Sequence, residues 1–549
     1  MRSRTSHRLL VATATVALLA SGLAACSSTG TKSSADPATT GVAPAGWTAP
    51  GPCPAPAGTT PVDVSPVAGT PTDFALTSFD GTVIRMHWFP QTDATTGRPA
   101  PTVLMGPGWG GAGDTNVDST QGPGIKTLHN AGYNVLTWDP RGFGKSTGTV
   151  EVDSADYEGR DVQRIISWVA TQPGVQLDGP ADPRVGMVGG SYGGGIQLIT
   201  AAADCRVDAI VPQIAWNSLV TSLYKSETIK SGWAGLLNAA ALGRSLDPHI
   251  VSAFEAGQTT GALSSDDVAW FASRGPGDVL KQIKIPTLIE QGTVDTLFTL
   301  QEGVDNYQLL QQAGVPLAMA WFCGGHGTCL TNGGDPDHID QASMTWLNRY
   351  LRRDPSVDTG PGFTFVDQNG VWHGSASWPV PVATPLTAQG SGSLALTADG
   401  GAGPAKIPAG DADFLAGVVG PITPGVATNS VDLDVPNGSS AGLIVGAPQL
   451  ALTYQGTSPD GTLPTRVFAQ LVDPTSGVVL GNQATPIAVT LDGQSHTLTL
   501  PLEQIAFATA AGGKVTLQVV AVAAGYAVPR LGGQITFTQI LITLPTAAT

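Results

Sequence analysis

Apolar and polar residues alternate over residues 73–90 on either side of Asp80-Gly81, a hairpin signal, so two antiparallel strands are predicted at the start of the folded body. The rhythm then changes. Residues 101–105, 133–138, 185–188, 207–214, 286–291 and 316–322 are short, nearly continuous apolar runs of the kind that form strands buried on both faces. Helical patterns fall between them. Residues 127–131 read as the end of a short helix, and residues 155–171 carry Val162, Ile165, Ile166 and Val169 at helical spacing before Pro173. Small-residue and amphipathic runs at 196–203, 301–313 and 343–351 complete the set. Strand and helix in alternation, with right-handed crossovers, imply a mostly parallel sheet covered on both sides.

Two stretches break that rhythm. Between about 217 and 284 the strands stop, and helix-like segments with Trp233, Trp270 and Phe271 fill a gap too long for a simple connection, which predicts a helical cap. From about Gly362 onward short alternating segments separated by Gly, Pro, Asn and Asp predict an all-β sandwich. The bland role of that sandwich is packing against the body; carbohydrate or cell-wall binding is the rival.

The N-terminus follows neither pattern. Arg2, Arg4 and Arg8 precede an apolar stretch at 9–23 that is too short for a comfortable transmembrane span, as in a secretory signal. It ends in Leu23-Ala24-Ala25-Cys26, which looks like a bacterial lipobox. Residues 1–25 are therefore expected to be removed and Cys26 acylated, anchoring an exported protein to the outer face of the cell membrane by lipid. Residues 26–65, rich in Ser, Thr, Ala, Gly and Pro, read as a flexible tether. Removing the signal takes away three arginines and no acid, moving the formal charge from -16 to -19. So acidic a chain argues against nucleic acid as a partner. Beyond Cys26 four cysteines remain, Cys53, Cys205, Cys323 and Cys329, and in an oxidising compartment they suggest two disulfides with three possible pairings. Cys323 and Cys329 could close a short loop, leaving Cys53 for Cys205. A Cys/His metal knuckle is the alternative, and it lacks a second ligand cluster. No metal and no cofactor are expected.

Chemistry concentrates where the 185–188 run meets Gly189-Gly190-Ser191-Tyr192-Gly193 and a helix. Strand, sharp turn and helix form a nucleophile elbow, in which small neighbours let the backbone lift a Ser hydroxyl above the sheet edge; Ser191 is the candidate nucleophile. A second Gly-x-Ser-x-Gly, around Ser146, leads into polar residues and reads as loop. A hydroxyl nucleophile needs a base and an acid that orients it, and Asp295 and His326 follow in that order, each just past a strand. His338 and Asp305 are the substitutes. Gly106-Pro107-Gly108-Trp109-Gly110-Gly111 matches a dinucleotide fingerprint formally, but no helix opens there. It reads better as a loop whose backbone N–H, that of Trp109, faces a developing oxyanion. A phosphate-binding loop fails at Asp139, where Gly is needed.

Taken with Trp138-Asp139-Pro140-Arg141-Gly142-Phe143-Gly144-Lys145-Ser146, Gly292 to Asp295, Thr345 to Leu351 and Val371 to Pro379, these elements resemble the X-Pro dipeptidyl-peptidase and acyl-esterase (cocaine-esterase-like) family of α/β-hydrolases. The resemblance implies an α/β-hydrolase domain over residues 66–360, capped at about 217–284, and a jelly-roll sandwich over 361–549. It implies a serine hydrolase acting through an acyl-enzyme on a peptide or small ester. Ser191 is then nucleophile, Asp295 orienting acid, His326 base and the Tyr192 backbone N–H one oxyanion donor. Some members use a Tyr hydroxyl as second donor where this chain has Trp109, so a backbone N–H is implied there. Dipeptidyl-peptidases also hold the substrate's free amine with an acidic residue, and none is identifiable in this sequence. A non-catalytic lipoprotein gripping an envelope polymer is the reading of another class.

Overall fold

The computed structural model describes residues 44, 47–91, 98–119, 122–398, 401, 429–459 and 465–548. The signal stretch, Cys26 and the first part of the expected tether lie outside these residues. No helix among the described residues is long and apolar enough to cross a membrane.

An eleven-stranded sheet organises the body. Strands β1 (Asp63–Pro66), β2 (Asp73–Thr77) and β3 (Val83–Phe89) form an antiparallel meander at one edge, and β3 pairs antiparallel with β5 (Asn134–Trp138). Parallel pairing then runs from β5 through β4 (Thr102–Met105), and a small hairpin of β6 (Leu177–Gly179) and β7 (Asp182–Pro183) precedes the next sheet strand. That strand, β8 (Val185–Gly190), leads on to β9 (Val207–Gln213), β10 (Thr287–Gly292), β11 (Leu317–Phe322) and β12 (Phe363–Val366), all parallel. The antiparallel β13 (Trp372–Ser375) closes the far edge.

Helices α1 (Ile125–Asn130), α2 (Glu158–Val169) and α3 (Tyr192–Ala203) follow β4, β5 and β8. The cap is built from α4 (Leu219–Leu223), α5 (Ser231–Ala240), α6 (Pro248–Thr260) and α7 (Ser265–Ala272); α8 (Leu300–Ala313) and α9 (His338–Tyr350) return to the body. Helices α2, α3 and α8 bury Ile165, Leu198 and Val304 on one face of the sheet, while α1 and α9 bury Leu128, Trp346 and Leu347 on the other. Burial on both faces is why the central strands read as unbroken apolar runs.

Two boundaries differ from the sequence reading. The expected tether, 26–65, is not free over its described part. Cys53 is disulfide-bonded to Cys205, Trp47 packs edge-on against Tyr350, Arg164 donates to the carbonyls of Gly58 and Pro61, and β1 is a sheet strand. Composition alone cannot see that side chains elsewhere satisfy a Pro-rich backbone. At the other end, β12 and β13 still belong to the sheet rather than to a sandwich starting at 361. Phe363 packs on Trp321 and Trp378, and burying such rings contributes on the order of 2 kcal/mol each. Short strands flanked by Gly and Pro look alike in either architecture.

Past that point the chain is all-β. One antiparallel sheet takes Leu386–Ala395, Gln534–Leu544, Gln449–Thr457 and Asp492–Pro501 in spatial order; a second takes Ser430–Pro436, Lys514–Val520 and Thr465–Asp473, the last also pairing with Thr485–Val489. Their inner faces close on a separate core that includes Leu450, Val467, Leu517 and Ile540. A small third sheet, with Gly442–Gly446 at its centre, supplies Val445 to the core of the body. The sandwich also meets the cap: Gly232 donates to the Gly525 carbonyl, Ala527 to that of Ile229, and Arg466 to the Thr228 hydroxyl.

Candidate active site

Ser191 stands at the turn between β8 and α3 with φ 57° and ψ -118°, a conformation that costs a non-glycine residue on the order of 1–3 kcal/mol. Hydrogen bonds hold it there. Its N–H donates to the Gln213 carbonyl, and its own carbonyl accepts from Gly194 and Gly195. The elbow fits only because Gly193 lacks a side chain, since a Cβ there would lie 2.1 Å from the carbonyl oxygen of Gly106. The Tyr192 N–H, at the first position of α3 and next in the chain to Ser191, has no intrahelical acceptor.

His326 reaches Ser191 from the loop after β11. Its Nε2 lies 2.8 Å from Ser191 Oγ, and its Nδ1 lies 2.7 Å from Asp295 Oδ2. Asp295 is fully buried, and its Oδ1 accepts from the N–H groups of Leu297 and Phe298 at 2.9 and 2.8 Å. Gly325, with φ 107°, lets the two loops meet; a Cβ there would press on Asp295 Cβ at 2.6 Å. Phe298 and Trp233 stand edge-on to the imidazole with ring centroids at 5.1 and 5.6 Å, and the Trp233 indole donates to Thr296 Oγ1. Cys323 and Cys329 are bonded to each other and brace the His loop, so neither thiol is free for a metal.

The rivals are elsewhere. Ser146 Oγ donates to the Asp139 carbonyl and accepts from Arg85 N–H, tying a loop to the sheet edge. His338 stacks on Trp372 at 3.6 Å, and Asp305 accepts from Gln301 within α8. The Trp109 indole N–H donates to the Leu237 carbonyl of the cap, and Trp109 lines the same cavity as Ser191.

Three contributors escaped the sequence reading. Gln483, from the sandwich, donates its amide to the backbone carbonyl of Asp295 across 188 residues of chain. Lys230, buried at the start of α5, donates to the carbonyls of Thr296 and Leu297 at 2.9 Å each; burial pulls its ammonium down to about 8. Glu503, also from the sandwich, pairs with Lys225 of the cap. Long sequence separation hides all three. Behind the elbow, Tyr192 donates to Glu158, whose carboxyl burial pushes up to about 7.

Residues 80–328 match the family described as X-Pro dipeptidyl-peptidase (S15 family). An uncharacterized 31.7 kDa protein in the traX-finO intergenic region of Escherichia coli is 32% identical over 114 residues, 20% of this chain and 38% of that protein, so the chain spans about two fifths of the curated relative it matches. Among solved structures, an alpha-amino acid ester hydrolase superposes with a TM-score of 0.65 at 13% identity, covering 90% of this chain and 98% of that one. A CocE/NonD family hydrolase from Staphylococcus aureus gives 0.59 at 15% identity, covering 87% and 93%. At such identities the likeness is one of fold. The chain thus resembles the X-Pro dipeptidyl-peptidase and acyl-esterase family, with an α/β-hydrolase body matched over residues 80–328 and an all-β region of antiparallel sheets at its C-terminal end.

Proposed function

We propose that this protein is a serine hydrolase that cleaves an ester or amide of a carboxylic acid through an acyl-enzyme, exported and held to the cell membrane by lipid on Cys26. The observation that carries the catalytic reading is the continuous line from Ser191 Oγ to His326 Nε2 at 2.8 Å and from His326 Nδ1 to Asp295 Oδ2 at 2.7 Å. Buried Asp295 favours the tautomer that carries its proton on Nδ1, leaving Nε2 free to accept.

Ser191 Oγ bonds to the substrate's carbonyl carbon as its proton passes to His326 Nε2. The carbonyl oxygen takes the electron pair, and the Tyr192 N–H, with the Trp109 N–H as second donor, stabilises that charge. His326 returns the proton to the leaving oxygen or nitrogen as its bond to carbon breaks, which leaves the acyl group on Ser191. Water, deprotonated by the same imidazole, then releases the acid and restores Ser191. Export is supported by the disulfides Cys53–Cys205 and Cys323–Cys329, which persist in oxidising compartments.

Labelling with a fluorophosphonate probe tests the mechanism. The wild-type protein is expected to label and Ser191→Ala to label not at all; equal labelling of both would overturn the assignment. Incorporation of radiolabelled palmitate, lost in Cys26→Ser, tests the anchor.

A further inference from the structure

A cavity opens at Ser191 and continues under the cap, with about 1040 Å³ of empty space including its mouth. Its walls come from α4, α5, α6 and α7, with Leu223, Leu237, Ile250, Val268 and Phe271 among them. Among the described residues the lining includes no Asp, Glu, Lys, Arg or His. Ser191, Tyr192, Tyr224, Asn238 and two indoles are its polar side chains, and the indole N–H groups of Trp109 and Trp216 are already bonded to the carbonyls of Leu237 and Arg274. The Tyr192 hydroxyl turns away toward Glu158.

Such a wall selects by what it cannot do. An ammonium group buried there would lose its water and find no anion among the lining side chains, a cost far beyond what apolar contact returns. The Lys230 ammonium, bonded to the carbonyl of cavity-lining Leu297, puts positive charge behind the same wall. A hydrocarbon chain meets the opposite situation, since each methylene that leaves water is stabilised and displaces nothing polar.

We propose that this cavity is an acyl-chain pocket, and that the substrate is a neutral ester of a medium-chain fatty acid whose chain lies beneath the cap with its carbonyl carbon at Ser191. This rests on the serine-hydrolase reading. The acyl half is the one that stays attached to Ser191 after the alcohol departs, so a chain lodged in the pocket serves both half-reactions.

The test is kcat/KM of the wild-type protein on p-nitrophenyl acetate, butyrate, octanoate and palmitate, beside alkyl acetates of rising alcohol length and Gly-Pro-p-nitroanilide. From butyrate to octanoate the value is expected to rise about fourfold per added methylene, the rate equivalent of about 0.8 kcal/mol per buried CH₂, and about two-hundredfold in all over the four methylenes. Ala234→Trp, which fills the pocket from α5, is expected to lower the octanoate-to-acetate ratio at least tenfold. A flat acyl series, a rise with alcohol length only, or faster turnover of the anilide than of every ester overturns the proposal. Fluorophosphonate labelling separates the two levels. A protein that labels at Ser191 but shows a flat series keeps the hydrolase and loses the acyl pocket, whereas a protein that does not label loses both. The wild-type series decides even where Ala234→Trp does not fold.

Discussion

The proposed catalytic line and the cavity beside it share Ser191 but are built from opposite materials. The line consists of three polar side chains on three loops at one sheet edge, fixed by distances near 2.7–2.8 Å. The cavity is a broad apolar wall spread over four cap helices, in which no single residue sets the geometry. Hydrogen bonds are directional and fail abruptly, whereas apolar contact is roughly additive in area. Damage to the line should therefore strike turnover whatever the chain length, and damage to the wall should strike chain-length preference. The largest expected effect is that of Asp295→Asn. The amide can still accept from Leu297 and Phe298, but it presents an N–H to His326 Nδ1 and favours the wrong tautomer. Steady-state kinetics should show kcat down about 10⁴-fold, with the octanoate-to-butyrate ratio unchanged; a large change in that ratio would mean that line and wall are not separable.

Gln483 tests how far the line extends. It touches no substrate and belongs to the sandwich, yet its amide is bonded to the Asp295 carbonyl. Gln483→Ala leaves that buried carbonyl without its partner and frees the acid loop to shift. A small misplacement of a catalytic group is costly, so kcat should fall about tenfold while KM moves less than twofold. Gln483→Asn should recover part of the loss if the bond can re-form. Loss of thermal stability with kcat intact would reduce Gln483 to a domain contact.

The same division explains what was legible in the sequence. Ser191, Asp295 and His326 could be found because each sits directly after a strand and the chain order of strands fixes which loops share an edge. The core strands were legible because burial on both faces leaves an unbroken apolar run. The wall was legible only as a helical insertion. Leu223, Ile250 and Phe271 sit in helix patterns that look the same whether a face packs on protein or lines a cavity. Gln483 and Lys230 carried no local signal, because their partners are loop carbonyls brought near only by folding. The pairing of Cys53 with Cys205 was legible from the cysteine count and the short Cys323–Cys329 loop, whereas the contacts of the Pro-rich segment around it, Trp47 on Tyr350 and Arg164 on Gly58 and Pro61, were not.

Glu290 sharpens the comparison from the other side, as a buried carboxyl five residues from Asp295 that lies outside the line. It sits on β10, accepts from Ser343 of α9 and from Gln213, and burial, the largest cause, pushes its carboxyl up to about 8. The folded protein thus holds a proton that the unfolded chain releases near the ordinary Glu value. The resulting stability is fully present below about 4.5 and is lost as pH rises through about 8. Lys230 acts with the opposite sign, its burial penalty fading only above about 8, so it does not offset a fall between pH 5 and 8. Melting curves should show Tm falling by roughly 5 °C across that window in the wild-type protein. Glu290→Gln, whose amide can still meet Ser343 and Gln213, should remove its own share of the fall, leaving those of Glu158 and Asp208, each near 7, and of buried Asp153. Chain-length preference should not move, because a residue can be as buried as Asp295 and as polar, and still take no part in turnover when its hydrogen bonds end on a neighbouring strand and on α9.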